Sequence, residues 1–178
     1  MKQCTINHYL NRQTLIVGDV NSGKTTQTTT ILEQFLRAGY GEQIVVLDLS
    51  PDPVRGIGGK LALAPDTPVM YLTAQITAPR LMGRDAEHTL ELAADNARKI
   101  EGLFTAFAIQ SRDILFINDA TLYLQAGNFT LFLETLAKSP TRIVNAYYGN
   151  TFVDSELTQR ERKLSDDLIE VSDEVIRM

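Results

Sequence analysis

Five short apolar runs punctuate the chain, Thr14–Val17, Gln43–Leu49, Asp113–Ile117, Thr141–Ala146 and Glu174–Met178, each bounded by turn residues or helix caps. All but the last are rich in Val, Ile or Leu without polar alternation, which predicts strands covered on both faces by helices. Thr67–Leu72 is a weaker strand candidate. Between the runs, apolar residues recur at spacings of three and four. Ile31, Leu32, Phe35 and Leu36 form one stripe on a helix that starts near Gly23 and ends at Gly39, a residue suited to the left-handed C-cap conformation. Asp85 is placed to N-cap a long helix through about Phe107, carrying Leu90, Ala93, Ala97, Ile100, Phe104 and Phe107 on one face. Phe129, Phe132, Leu133, Leu136 and Ala137 mark another helix, stopped by Ser139-Pro140. Ser155 and Ser165 are expected to cap two short helices near the end. This alternation predicts a three-layer α/β domain with a mainly parallel sheet of about five strands and its ligand at the carboxyl edge.

Composition narrows the class without changing the fold. A chain of 178 residues fits one domain, and 44% apolar with 22% charged residues excludes a disordered or fibrous segment. Seventeen Lys and Arg against 22 Asp and Glu leave a net charge of -5, which disfavours general nucleic-acid binding. The single cysteine, Cys4, cannot close an internal disulfide, and the N-terminus lacks the apolar core of a secretory signal. No run approaches the ~18 consecutive apolar residues of a membrane span. A cytoplasmic chain without membrane insertion is the expectation.

The strongest chemical signal is Gly18-Asp19-Val20-Asn21-Ser22-Gly23-Lys24-Thr25, which fits G-x-x-x-x-G-K-[ST] directly after a strand and at the start of a helix. Glycines let backbone N–H groups turn inward around phosphate oxygens, and the positive end of the following helix adds to the attraction. Lys24 would reach the β- and γ-phosphates, Thr25 would supply one oxygen to Mg²⁺, and Thr26 offers a second hydroxyl. On this loop and its flanks the sequence resembles the P-loop NTPase superfamily (the Walker A motif), and the resemblance implies a protein that uses a Mg-nucleotide. Gly18, Asn21, Ser22, Gly23, Lys24, Thr25 and Thr26 are then the nucleotide-binding residues. Asp19 departs from the signature lysine that deviant Walker A ATPases carry at this position, and an outward-facing carboxylate is expected there.

A P-loop Mg²⁺ usually takes a carboxylate from a neighbouring strand end. Asp119, after Ile114-Leu115-Phe116-Ile117-Asn118, is the favoured ligand, and Asp48, after Ile44-Val45-Val46-Leu47, is the other candidate. Either acid could equally cap a turn. Lys24 and Asp119 are the catalytic candidates.

Other features carry weaker signals. Ser50–Asp66 is a long Pro- and Gly-rich connection that reads as a mobile flap, with Arg55 or Lys60 able to approach the nucleotide or a second substrate. Arg160, Arg162 and Lys163, like Arg80 and Arg84, read first as solvated surface cations. Cys4 and His8 lack the further ligands of a zinc site, and His88 reads as a first-turn helix residue. Tyr147 and Tyr148 end a strand at the ligand edge and could stack on a planar group or pack in a core.

The layout as a whole resembles the P-loop type of ATP:corrinoid adenosyltransferase. The pieces that carry this are Leu36–Gly41 before Gln43–Leu49, the long helix Asp85–Phe107, Asn118-Asp119 at the position of an acidic pair, and Asp167–Glu170 before Ser172–Met178. Asn21 and Ser22 stand where that family has a lysine and a glycine, Asn118 replaces the first acid, and Tyr147-Tyr148-Gly149 replaces an arginine-bearing strand end. The resemblance implies that Lys24, Thr25 and Asp119 orient Mg-ATP for attack by a reduced cobalt on the ribose carbon.

The expected cofactors are ATP and Mg²⁺, with ATP favoured over GTP because no Asn-Lys-x-Asp guanine signature occurs. The leading expectation is an ATPase or nucleotide-dependent switch acting on an unknown small-molecule or protein partner. A transferase, either adenosyltransferase-like or a small-molecule kinase, and a binding module without turnover are the alternatives. A homo-oligomer stays open.

Overall fold

The computed structural model describes residues 6–178, so Cys4 lies outside the described part. The strands are β1 (Gln13–Gly18), β2 (Ile44–Asp48), β3 (Met70–Thr73), β4 (Ile114–Asn118), β5 (Thr141–Tyr147) and β6 (Glu174–Arg177). They form one sheet of order β3-β2-β4-β5-β1-β6, and every pairing is parallel. The expected parallel α/β architecture is present, with six strands in place of five. The sixth is the weak candidate, shifted to Met70–Thr73. It escapes a hydrophobic reading because it lies on an edge and is only half-buried.

Alternation within the central strands builds two cores. Leu15, Val17, Val45, Leu47, Leu115, Ile117, Val144 and Ala146 point to one face, and Ile16, Ile44, Val46, Ile114, Phe116 and Ile143 point to the other. Because both faces are apolar, the strands look continuous in sequence although their side chains alternate in space. Helix α1 (Lys24–Arg37) covers the second face with Ile31, Leu32 and Phe35. The first face is covered by α3 (Ala86–Ile109), α5 (Phe129–Leu136) and α6 (Glu156–Glu170), through Ile100, Phe104, Phe107, Phe132, Leu136 and Leu168. Two single-turn helices complete the fold, α2 (Pro79–Met82) before α3 and α4 (Thr121–Leu124) after β4.

The predicted caps hold at three places. The Asp85 carboxylate accepts from His88 N at 2.8 Å, the Ser155 hydroxyl accepts from Thr158 N at 3.1 Å, and Gly39 takes φ +85 just past α1. Ser165 does not cap. It is buried inside α6, which runs unbroken over 15 residues where two short helices were expected. The polar residues of that stretch satisfy helical periodicity as well as they satisfy a cap, and Leu164 and Leu168 carry the core-facing stripe through it.

Candidate functional site

All-parallel topology brings the C-terminal ends of β1, β5, β4 and β2 to one edge of the sheet. β1 ends there at Gly18, and residues 19–23 turn the chain into α1. Gly23 makes the turn at φ +96, where a Cβ would be strained, and it serves as the helix N-cap without a side-chain bond. The first bond of the helical ladder runs from Gln27 N to Gly23 O at 2.9 Å, so the N–H groups of Lys24, Thr25 and Thr26 precede the ladder. Lys24 curls back over the loop, and its Nζ donates to the Asp19 carbonyl at 2.6 Å. The Ser22 hydroxyl oxygen is buried and has no hydrogen-bond partner among the described residues. A ring of donors with an orphaned hydroxyl suits a ligand rich in oxygen acceptors.

The Asp19 carboxylate is turned away from this ring. It accepts from Val20 N at 2.7 Å, Asn150 N at 3.1 Å and the Thr151 hydroxyl at 2.6 Å. These donors, the Thr151 hydroxyl foremost, hold its carboxyl below the usual range. Asp19 thus ties the loop to the turn after β5, where Gly149 sits so close that a Cβ would run into the carboxylate.

A cavity of about 460 Å³ opens beside the loop. Residues 20–26 line one side, and Asp119, Thr121, Leu122, Gln125, Asn145 and Tyr147 line the side formed by β4 and β5. Ser50, Pro51 and residues 57–60 contribute from the segment after β2, and Ala78–Leu81 with Phe152 complete the wall. Every sequence-predicted loop residue from Asn21 to Thr26 meets the cavity, and so does Asp119. Asp119 follows β4 at φ +60, and burial pushes its carboxyl up to about 7 against the pull of Lys24, with Glu161 adding to the rise. Burial lowers Lys24 in turn, while Asp119 and Asp19 oppose the change.

Asp48 is not brought to the cavity. Its carboxylate is fully buried and accepts from Leu61 N at 2.6 Å, Tyr71 OH at 2.8 Å, Asn118 Nδ2 at 2.8 Å and Ser50 N at 3.3 Å. It fastens both ends of the long connection after β2. The flap is therefore clamped at its base, and within it Val54 and Ile57 form a small antiparallel bridge around Arg55 and Gly56, both at positive φ. Arg55 is exposed at that tip. Lys60 does line the cavity, with Nζ donating to Ser50 O, the Thr73 hydroxyl and Ala74 O at 2.7, 2.8 and 3.1 Å.

Sequence reasoning missed the opposite wall. Arg80 was expected to be a solvated cation, yet its side chain is only 13% exposed and its Nη1 donates to Glu161 Oε1 at 2.9 Å and to the Thr158 hydroxyl at 3.3 Å. Its guanidinium carbon stands 3.9 Å from the Phe152 ring centre. Glu161 is held from its other oxygen by Gln125 Nε2 at 2.9 Å, and the Gln125 Oε1 is buried without a hydrogen-bond partner among the described residues. Eighty-one residues separate Arg80 from Glu161, so no local pattern could announce the pair. The other cations are structural braces or surface groups. Arg162 donates to Gly149 O at 2.8 Å and stacks on Tyr148, Arg160 donates to Gly127 O, and Lys163 pairs with Asp167 on the exposed face of α6. Tyr147 borders the cavity while its OH accepts from Thr151 N at 3.0 Å, and Tyr148 points elsewhere, donating to Asp166 at 2.6 Å. His8 pairs with Glu174 at 2.7 Å, and His88 accepts from Arg84 N at 3.1 Å.

Among the described residues, no group of three or more His, Cys, Asp or Glu side chains is placed to hold a metal on its own, and no helix is long and apolar enough to cross a membrane. No family model matches the chain, and no curated protein matches it.

Proposed function

We propose that the chain is a Mg-ATP-binding P-loop protein that hydrolyses ATP and uses the change in phosphate state as a switch. The observation that carries the reading is the donor-bearing loop of residues 20–26 lining a cavity that Asp119 also lines, with Gly18 and Asp19 outside the lining. In this reading the N–H groups of Lys24, Thr25 and Thr26 bind the phosphate oxygens, and Lys24 Nζ turns from the Asp19 carbonyl to the terminal phosphates. Thr25 and Asp119 are the donors for Mg²⁺, a hard cation that keeps several waters and so needs few protein ligands. Bound there, the ion would neutralise charge on the terminal phosphates. Ser50, Pro51 and residues 57–60 border the same space, so a change at the terminal phosphate reaches the connection after β2.

A transferase is the second reading, favoured by the apolar wall of Ala78, Pro79, Leu81, Leu122 and Phe152 beyond Asp119, which suits a second substrate. Titration calorimetry with Mg-ATP and Mg-GTP, followed by assay of phosphate release without added acceptor, tests the proposal. Release that disappears in Lys24→Ala supports the ATPase. Triphosphate release only with a reduced corrinoid supports adenosyl transfer, phosphate transfer only with an added acceptor supports a kinase, and binding with no product supports a module without turnover. Absence of heat with either nucleotide at millimolar concentration overturns the reading altogether.

A further inference from the structure

A guanidinium carries five N–H donors in a rigid fork. Arg80 uses only Nη1, on Glu161 and Thr158, so its Nη2 and Nε donors have no hydrogen-bond partner among the described residues. They belong to a side chain already fixed in place by the Glu161 ion pair on one side and the Phe152 ring on another. Glu161 is itself anchored by Gln125, so the whole assembly is rigid and largely shielded from water. A pre-oriented, half-used fork of this kind matches the geometry of a tetrahedral or planar oxyanion.

The fork's setting selects the cavity it serves. Arg80 borders the 460 Å³ cavity that holds Lys24 and Asp119, and also a smaller hollow of about 360 Å³ lined by Ala86, Leu90, Val153 and Leu157. Among the described residues, the one other charged group lining the smaller hollow is Glu156, an anion, which repels a second anion there. The larger cavity is lined by Lys24 and Lys60 as well as Arg80, against the single acid Asp119, and Asp119 feels Lys24, then Glu161, then Arg80, so all three lie within its electrostatic reach.

Resting on the nucleotide reading above, we propose that Arg80 forms a second oxyanion subsite of the main cavity, separate from the residue 18–26 loop, that takes a phosphoryl group. That group comes either from the nucleotide's own terminal phosphate or from a free phosphate or phosphorylated acceptor. Glu161 is the positioning residue that presents the fork.

The test compares wild type, Arg80→Lys, Glu161→Gln and the double variant Arg80→Gln/Glu161→Gln, with Lys24→Ala as reference. The double variant removes both buried charges together, so that no unpaired carboxylate is left to unfold the protein, and circular dichroism melting checks each fold. Affinities for Mg-ATP and Mg-ADP are measured by calorimetry, then inorganic phosphate is titrated into ADP-saturated protein. If the terminal phosphate is the source, the double variant loses about 10-fold or more in affinity for ATP while ADP binding stays within about 2-fold. If a free anion is the source, wild type loaded with ADP binds phosphate and the double variant does not. Arg80→Lys keeps the charge and loses the fork, and it shows an intermediate loss in whichever arm responds. Unchanged ATP, ADP and phosphate binding in a folded double variant, with both nucleotides lost in Lys24→Ala, overturns the subsite and leaves the nucleotide reading standing. Failure of wild type to bind either nucleotide overturns both.

Discussion

Asn145 Oδ1 accepts the backbone N–H of Asp119 at 2.8 Å, and through its Nδ2 the same side chain donates to Thr28 on α1 and Asn118 on β4. One buried amide at the end of β5 therefore holds the Asp119 segment, helix α1 behind the residue 19–23 loop and the neighbouring strand in register. Asn118 continues the line to Asp48, and Asp48 continues it to Tyr71 and the connection after β2. A polar chain of this kind is costly to break in the middle, because each partner left behind is buried.

Asn145→Ala is expected to cost about 2–4 kcal/mol of stability, since three hydrogen bonds are lost and the Asn118 Oδ1 and Asp119 N–H lose their partner, while the Thr28 hydroxyl keeps its bond to Lys24 O. Urea denaturation measures this directly. A loss below about 1 kcal/mol would show that the network is replaced by water and does not order the site.

Lys24→Ala is expected to weaken Mg-ATP binding about 100-fold with an unchanged fold, because Lys24 lies half-buried at the surface of the cavity and, among the described residues, its ammonium donates only to the Asp19 carbonyl. Calorimetry checks the affinity, and wild-type affinity in the variant contradicts the role given to the lysine.

Asp119 and Asp48 are separable by experiment. Asp119→Asn should abolish the Mg²⁺ dependence of nucleotide binding with a modest effect on folding. Asp48→Ala should cost about 3 kcal/mol or more of stability, because four donors, those of Ser50, Leu61 and Asn118 buried, lose this acceptor, while Mg²⁺ dependence persists in whatever fraction folds. The opposite assignment of the two phenotypes would move the metal to Asp48.

The raised carboxyl of Asp119 gives the free protein a pH signature. Its pKa is about 7 in the fold against 3.8 for an ordinary aspartate, so between these values the folded state holds a proton that the unfolded chain releases. The stabilisation from this group is complete below about pH 4 and is lost as pH rises through about 7. Without Mg²⁺ or nucleotide, wild type should lose stability relative to Asp119→Asn between pH 5 and pH 8. Parallel stability curves for the two proteins would refute the assigned shift.

Gly149→Ala should loosen the tie between the residue 19–23 loop and the turn after β5, because the added methyl displaces the Asp19 carboxylate from Asn150 and Thr151. Faster amide exchange at residues 149–152, with the sheet core protected as before, is the expected result. Unaltered exchange there would show that the turn adapts without losing Asp19.

The parallel sheet, the order of strands and helices, and the turn from β1 into α1 were legible in the sequence because each rests on a local signal. Both-face burial makes β1, β2, β4 and β5 continuous apolar runs, and the glycines, lysine and threonines of the loop are contiguous. β3 was faint because an edge strand with half-exposed residues has no such run. Ser165 misled because a serine inside a helix and a serine at its start look alike until the buried face is known. Arg80 misled for a related reason: a lone cation between loops reads as solvated unless its distant partner is in view.

What the amino-acid order determined by itself was local: which segments bury both faces, and where a glycine-containing turn leads from a strand into a helix. Tertiary packing alone decided which of two strand-end acids faces open space, because Asp48 and Asp119 differ only in what the folded chain brings against them. Packing also paired Arg80 with Glu161 across 81 residues. Backbone conformation and hydrophobic burial are read within a few residues, whereas the environment of a charge is set by groups that only folding brings within reach.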